Sequence, residues 1–462
     1  MKIIIKNLGP IQEAKFDFSK KLSVFCGPNN TGKTYLSYIL YAFTRRRIYL
    51  PEDVLTDKQV KAFMDDRLLR VEMGLDRIYK VMMERISNIS HDLATIFGIS
   101  ESMATTMFPN FKMEMEMNED AYKKYLLEME CSFDINLNTN ISAQVSKGKG
   151  ESTLSIRNNS VKMYQEDREE VKADLLTAVY YYMIISPVLN SHFFPVERTS
   201  MYTYYKDIVG TRNLLIDKLH QQGKDAPQAL NLILDNSSQF PLAISHTIQA
   251  ASRMGRQRSH EGRYVFLADE IERSILNGRI DVSDEGDMRF RPDKSPNSVL
   301  PIQLSASMAK AVSGIVFYLR HVAEEGDMIF IDEPEVNCHP DVQILMTRIF
   351  ARMVNAGLRL VISTHSDYII REINNLIMMG GATASLADKL AEWNYQPEMA
   401  IDYQMVGAYL FNYGNANKVT VMPIEVTDSG FEVSTIDATI SQLNDISEAL
   451  YYELRYGTRR ES

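Results

Sequence analysis

The run Gly27-Pro28-Asn29-Asn30-Thr31-Gly32-Lys33-Thr34 satisfies the pattern G-x-x-x-x-G-K-[ST] in full. Such a loop functions at one place in a fold, between the end of a strand and the start of a helix, where free backbone N–H groups converge on phosphate. The N–H groups of Gly27, Asn29, Asn30, Thr31 and Gly32 then cradle the phosphates of a nucleotide. Lys33 reaches the terminal phosphates and the Thr34 hydroxyl ligates Mg²⁺. Gly27 and Gly32 supply backbone that a side chain would block.

The flanking sequence meets this requirement. "KLSVFC" (Lys21 to Cys26) is a short β-rich apolar run, and Leu36, Ile39, Leu40 and Phe43 recur at helical spacing beyond Thr34. The chain therefore has to place a strand, the loop and a helix in series.

Length and composition leave ample room around that unit. The 462 residues are 45% hydrophobic, enough for roughly two to four domains with sizeable cores. A formal net charge of -10 argues against a surface built throughout to coat nucleic acid. The basic run 252–263, with Arg253, Arg256, Arg258 and Arg263, reads as a solvated loop. Cys26, Cys131 and Cys338 are far apart and lack CxxC spacing, so neither a zinc site nor a disulfide framework is expected, and a cytoplasmic location fits. The chain opens directly into "KIIIKN" without a signal-peptide pattern, and no apolar run approaches the roughly 18 residues of a membrane span. Leu175 to Leu189, broken by Pro187, reads as a buried core helix.

Patterning divides the chain into five stretches. Residues 1–47 read as strands "KIIIKN", "EAKFDF" and "KLSVFC", then the loop and its helix. Residues 48–190 read as an inserted lobe, helical over Val60 to Ile86 and strand-forming over 111–163, with Met113, Met115 and Met117 on a packed sheet face. This insert is the expected place for oligomer or partner contacts. Residues 191–277 are mainly helical, interrupted at Phe193 to Arg198. Residues 278–376 open with a hairpin in which Ile280 and Val282 face Met288 and Phe290. Residues 377–462 read as a helix, strands "KVTVMPIEV" and "FEVSTI", and a closing helix capped by Asp437.

The 278–376 stretch holds the remaining chemistry. The apolar strand Met328 to Ile331 ends in Asp332 and Glu333, two carboxylates suited to holding Mg²⁺ and to polarising an attacking water as general base. A second apolar strand, Leu358 to Ser363, leads to His365, which a β-α-β unit would bring to the phosphate edge of the sheet as a γ-phosphate sensor. Ser305 and Ser307 precede an amphipathic helix bearing Val312, Ile315, Val316 and Leu319. Serine there is an N-cap by default, and the same helix end would bind a phosphate brought by another subunit.

P-loop, serine-led helix, carboxylate strand and histidine strand, in that order, resemble the ABC-type ATPase heads of the SMC, Rad50, RecF and OLD class over residues 1–47 and about 278–376. The wording "LPIQLSAS", "IFIDEPEVNCHP", "VISTHSDYII" and "FFPVER" resembles stand-alone bacterial phage-defence ATPases of the Septu and PARIS kind. The resemblance implies an α/β ABC-type P-loop head, a mixed sheet with an antiparallel β start, carrying a helical and β-hairpin insertion. It implies ATP and Mg²⁺ as ligands, with Lys33 and Thr34 on phosphate and metal, Asp332 on the metal, Glu333 as catalytic base and His365 as sensor. Ser307 would act in trans within a head-to-tail dimer or higher homo-oligomer.

Two departures stand out. Ser305-Ala306-Ser307-Met308 lacks the usual glycine pair, which leaves open which serine meets phosphate, and Pro195 to Arg198 stands where a glutamine-bearing loop is usual. Two roles are consistent with this sequence. The first is a defence ATPase, triggered by DNA or a phage protein, that controls a separate effector such as a nuclease, with no nuclease of its own. The second is DNA maintenance by ATP-driven clamping of duplex, as in RecF or Rad50 relatives. No segment sustains the heptads of long coiled-coil arms. A transporter engine fits least, because a long insertion separates Thr34 from Ser307.

Overall fold

Strand β1 (Lys2–Leu8) and strand β2 (Ile11–Asp17) form an antiparallel hairpin, and strand β3 (Leu22–Cys26) runs into the phosphate loop. They open a computed structural model of the chain that describes residues 1–45, 55–136, 142–159, 169, 171–172, 175, 190–206, 240–295, 297–381, 386–414 and 418–456. Within the insert lie β4 (Leu68–Glu72), β5 (Lys112–Met115), β6 (Cys131–Asn136), β7 (Ser142–Lys147) and β8 (Thr153–Asn158). Beyond it follow β9 (Ser191–Phe194), β10 (Gly278–Val282), β11 (Met288–Pro292), β12 (Leu300–Pro301), β13 (Met328–Asp332), β14 (Arg359–Thr364), β15 (Val406–Tyr413) and β16 (Val419–Ile424).

Among the described residues the central sheet has nine strands in the order β5-β1-β2-β16-β15-β3-β14-β13-β9. From β15 through β3, β14 and β13 to β9 every pairing is parallel, whereas β1 pairs antiparallel with both β2 and β5. This is the mixed sheet with an antiparallel β start that the sequence predicts.

Helices cover the parallel part on both faces, so β3, β13 and β14 are buried along their whole length. Strand alternation sorts their side chains. Phe25, Phe330, Val361, Tyr409 and Phe411 join the cluster that holds Ile39, Leu40 and Phe43 of the Lys33–Arg45 helix. Val24, Cys26, Ile329, Ile331, Leu360 and Ile362 face the opposite cluster, with the helices Ser307–His321, Pro340–Asn355 and Asp367–Gly380. Each buried large apolar side chain contributes about 1.5–3 kcal/mol. The sheet is thereby rigid where its strands end at the loop.

The insert carries its own antiparallel sheet, ordered β4-β8-β7-β6, and it also lends β5 to the edge of the central sheet. Met113 is buried there, with Met115 and Met117 packed against the same core. In the hairpin of β10 and β11, Ile280 pairs with Phe290 and Val282 with Met288, the pairing expected.

Several local expectations change. The helical reading of Val60 to Ile86 is divided: a helix Asp57–Asp65 with a Thr56–Gln59 capping box, then β4, then a helix Leu75–His91. Leu69 and Val71 alternate with exposed Arg70 and Glu72, so a period of two overrides the longer helical pattern. A helix, Glu119–Glu128, stands among the strands of 111–163. "FEVSTI" is not a strand; the closing helix begins at Ser434, which puts Asp437 inside it instead of at its cap. The run 252–263 lies partly on a helix, Leu242–Gln257, and Arg258 and Arg263 pair with Asp284 and Glu325. Most of Leu175 to Leu189, expected as a core helix, lies outside the described residues. The 377–462 stretch supplies β15 and β16, which sit between β2 and β3 at the middle of the sheet.

Candidate functional site

Parallel strands β3, β14 and β13 end side by side, and their ends bring together residues far apart in sequence. Ser363 of β14 pairs with Phe25 of β3 and Asp332 of β13, so the loop, the carboxylates and the histidine meet at one edge.

Gly27 has φ +137° and Gly32 φ +89°, and Asn30 occupies the left-handed region at φ +61°. Thr31 is buried, its hydroxyl donating to the Pro28 carbonyl at 2.8 Å. The Asn29 carbonyl accepts from the Tyr413 hydroxyl at 3.0 Å, which ties the loop to the end of β15. Lys33 opens the helix and its ammonium folds back on the Gly27 and Pro28 carbonyls, at 3.0 and 2.8 Å. Burial lowers its pKa, opposed by Glu333, Asp332, Cys26 and Glu335.

The Thr34 hydroxyl donates to Asp332 Oδ2 at 2.8 Å, and the Ser363 hydroxyl donates to Asp332 Oδ1. Asp332 is buried, and desolvation raises its pKa against these two hydrogen bonds. Adjacent hydroxyl and carboxylate oxygens are a hard donor set that fits Mg²⁺, so Thr34 and Asp332 are the residues that would hold it.

Glu333 has φ +47°, unusual for a residue with a Cβ. Its N–H donates to the Ser363 carbonyl at 3.0 Å and to the Ser363 hydroxyl at 3.2 Å, which holds the turn after β13. The Glu333 side chain is one-third exposed and its Oε1 lies 3.7 Å from His365 Nε2. Burial, then the charge of Lys33, lowers the His365 pKa, which favours the neutral ring.

Two residues unassigned by sequence reasoning complete the site. Glu335 Oε1 accepts from the Thr364 hydroxyl at 2.9 Å and the His365 N–H at 2.6 Å, which fixes the segment carrying the imidazole. Its spacing, one residue beyond Pro334, gave no periodic signal. Arg198, at the start of the helix that follows the turn after β9, is buried beneath the β13 terminus. Its neighbour Glu197 is exposed, and the charge of Glu197 contributes to the raised pKa of Asp332.

Ser305 and Ser307 separate by burial. The Ser305 hydroxyl is turned inward onto the Ile302 carbonyl at 2.7 Å, whereas Ser307 is exposed at the first residue of its helix. Among the described residues no hydrogen bond joins Ser307 to Lys33, Thr34, Asp332 or Glu333.

The family model for the AAA ATPase domain matches residues 1–370, from β1 through the histidine strand into the helix after it. The chain belongs to the AAA ATPase domain family. It is accordingly an ATP-binding ATPase. No curated protein matches its sequence.

Solved structures give a distant likeness. The SMC head domain from Thermotoga maritima is 10% identical, with 92% of this chain and 98% of that chain covered at a TM-score of 0.34. An SmcHead bound to the C-winged helix domain of ScpA is 11% identical, with 93% and 98% covered at 0.34. The Smc head domain with an extended coiled coil, bound to the C-terminal domain of ScpA derived from Pyrococcus furiosus, is 9% identical, with 96% and 98% covered at 0.35. At these values the likeness does not reach residue roles. Among the described residues no helix is long and apolar enough to cross a membrane.

Proposed function

We propose that ATP is hydrolysed at the joined ends of β3, β13 and β14, with Glu333 as general base. The observation that carries this reading is the placement of Glu333 within 3.7 Å of His365, beside the Thr34–Asp332 contact. Lys33 would exchange its loop carbonyls for phosphate oxygens. Thr34 and Asp332 would hold Mg²⁺, which supplies charge neutralisation to the phosphates. Glu333 takes a proton from the attacking water, and neutral His365 reports the γ-phosphate by hydrogen bonding. Ser307, exposed at a helix N-terminus, serves the nucleotide of a second subunit in a head-to-tail pair, so that binding closes the pair and hydrolysis releases it.

The wider role we infer is a switch in bacterial anti-phage defence that governs a separately encoded effector such as a nuclease. Two points support it: the likeness of the motif wording to stand-alone defence ATPases, and the use of Val406–Tyr413 and Val419–Ile424 as strands of the ATPase sheet itself. Capture of the Glu333→Gln protein under Mg-ATP from its native host tests this. A stoichiometric effector protein is the expected companion. Duplex DNA with no protein partner would replace this reading with a clamp for DNA maintenance.

A further inference from the structure

Arg198 places all its hydrogen bonds on backbone carbonyls. Nε donates to Ala311 at 3.1 Å, Nη1 to Pro195 at 3.2 Å and Asp332 at 2.9 Å, and Nη2 to Glu333 at 3.1 Å and Pro334 at 3.3 Å. The five contacts match the five N–H donors of a guanidinium, arranged in a planar fork. The side chain is only 2% exposed. A buried cation that satisfies carbonyls from three separate elements is a costly device, and its position shows what it holds.

Two of those elements have distinct tasks in the reading above. The turn at Asp332, Glu333 and Pro334 ends β13 and carries the base. Ala311 lies one helical turn beyond Ser307, on the helix whose N-terminus would face a second subunit. Glu333 is held from both sides: its N–H by Ser363 of β14, its carbonyl by Arg198. A left-handed residue with a side chain persists only where its surroundings over-determine it, and these two anchors supply that restraint.

We propose that Arg198 is a positioning residue for ATP hydrolysis: it locks the backbone of Glu333 in its left-handed conformation and ties that turn to the Ser307–His321 helix. The proposal rests on Glu333 being the base and Ser307 the trans contact. Lysine cannot reproduce this arrangement, because an ammonium offers three donors from one point where the fork offers five spread over a plane. Nucleotide contacts made by the loop are separate from the fork, so binding and turnover should part company when it is removed.

The test is Arg198→Lys, alone and combined with Glu333→Gln, with binding followed by a fluorescent ATP analogue and turnover by phosphate release. Expected are an analogue Kd within about threefold of wild type, a fall in kcat of about 10²-fold, and a double variant no slower than Glu333→Gln alone. Unchanged kcat, parallel losses in Kd and kcat, or losses that multiply in the double variant would overturn it. A wild-type rate equal to that of Glu333→Gln would overturn the underlying reading of the base, and this proposal with it.

If Arg198→Lys does not fold, hydrogen exchange of the Glu333→Gln protein decides. Mg-ATP should then raise protection at residues 333–336 and 308–311 together, and a response confined to one of them would overturn the link.

Discussion

The backbone carbonyl oxygen of Phe411 lies 2.2 Å from the point where a Cβ on Gly27 would stand. Strand β15, from the last fifth of the chain, therefore closes against the first residue of the phosphate loop and leaves no room for any side chain there. At φ +137°, Gly27 is also in backbone that other residues rarely adopt. Gly27→Ala should shift both the loop and β15. Expected are a loss of about 2–3 kcal/mol in urea unfolding and a loss of nucleotide binding at least as large as that of Lys33→Ala. Wild-type binding by Gly27→Ala would show that the loop yields without consequence.

Binding and turnover separate at Lys33 and Glu333. Lys33→Ala removes the cation proposed to exchange its loop carbonyls for phosphate oxygens and should abolish ATP binding. Glu333→Gln keeps the shape of the site but cannot accept the proton, so it should bind ATP normally, turn over about 10²- to 10⁴-fold more slowly, and accumulate closed assemblies. Isothermal titration, phosphate release and light scattering measure the three quantities. Equal turnover in Glu333→Gln and wild type would remove Glu333 from the role of base.

The two serines should differ in kind. Ser305→Ala deletes a buried hydroxyl bonded to the Ile302 carbonyl and should cost about 1 kcal/mol of stability while leaving ATP-driven association intact. Ser307→Arg puts bulk on an exposed helix start and should block association while ATP still binds to the single subunit. Association measured by analytical ultracentrifugation with Mg-ATP on the Glu333→Gln background would detect the reverse pattern if Ser305 were the trans residue.

Stability should depend on pH through Asp327. It is fully buried, its Oδ2 accepts from the Tyr318 hydroxyl at 2.6 Å and the Glu324 N–H at 3.0 Å, and burial pushes its pKa up to about 7. The unfolded chain, with the ordinary carboxylate value near 4, releases that proton first, so folding stability falls as pH rises from about 4 through about 7. The total is on the order of a few kcal/mol. Urea midpoints of wild type and Asp327→Asn between pH 5 and 8 should show a shallower decline in the variant, and parallel slopes would exclude the assignment.

The phosphate loop, both carboxylates and the histidine were legible in the sequence because each stands at the end of an apolar strand, and strand ends are where a parallel sheet gathers its polar residues. The β10–β11 hairpin was equally plain, since alternation fixes register. Strand β15 was hidden for a physical reason. "VGAYLF" is buried on both faces, so it lacks the alternation that marks a strand, and nothing local says that it pairs with β3.

The local order of strand, loop and helix thus came from residues close in sequence, as did the places of Lys33, Thr34, Asp332 and Glu333 at the loop and strand ends. Tertiary structure alone set which strand borders Gly27, turned Ser305 inward and left Ser307 outside, and brought Arg198 under the turn at Glu333. The approach of Phe411 to Gly27 and the bond of Arg198 to Glu333 each span more than a hundred residues of chain, and only the packing of the whole sheet with its helices brings such distant groups together.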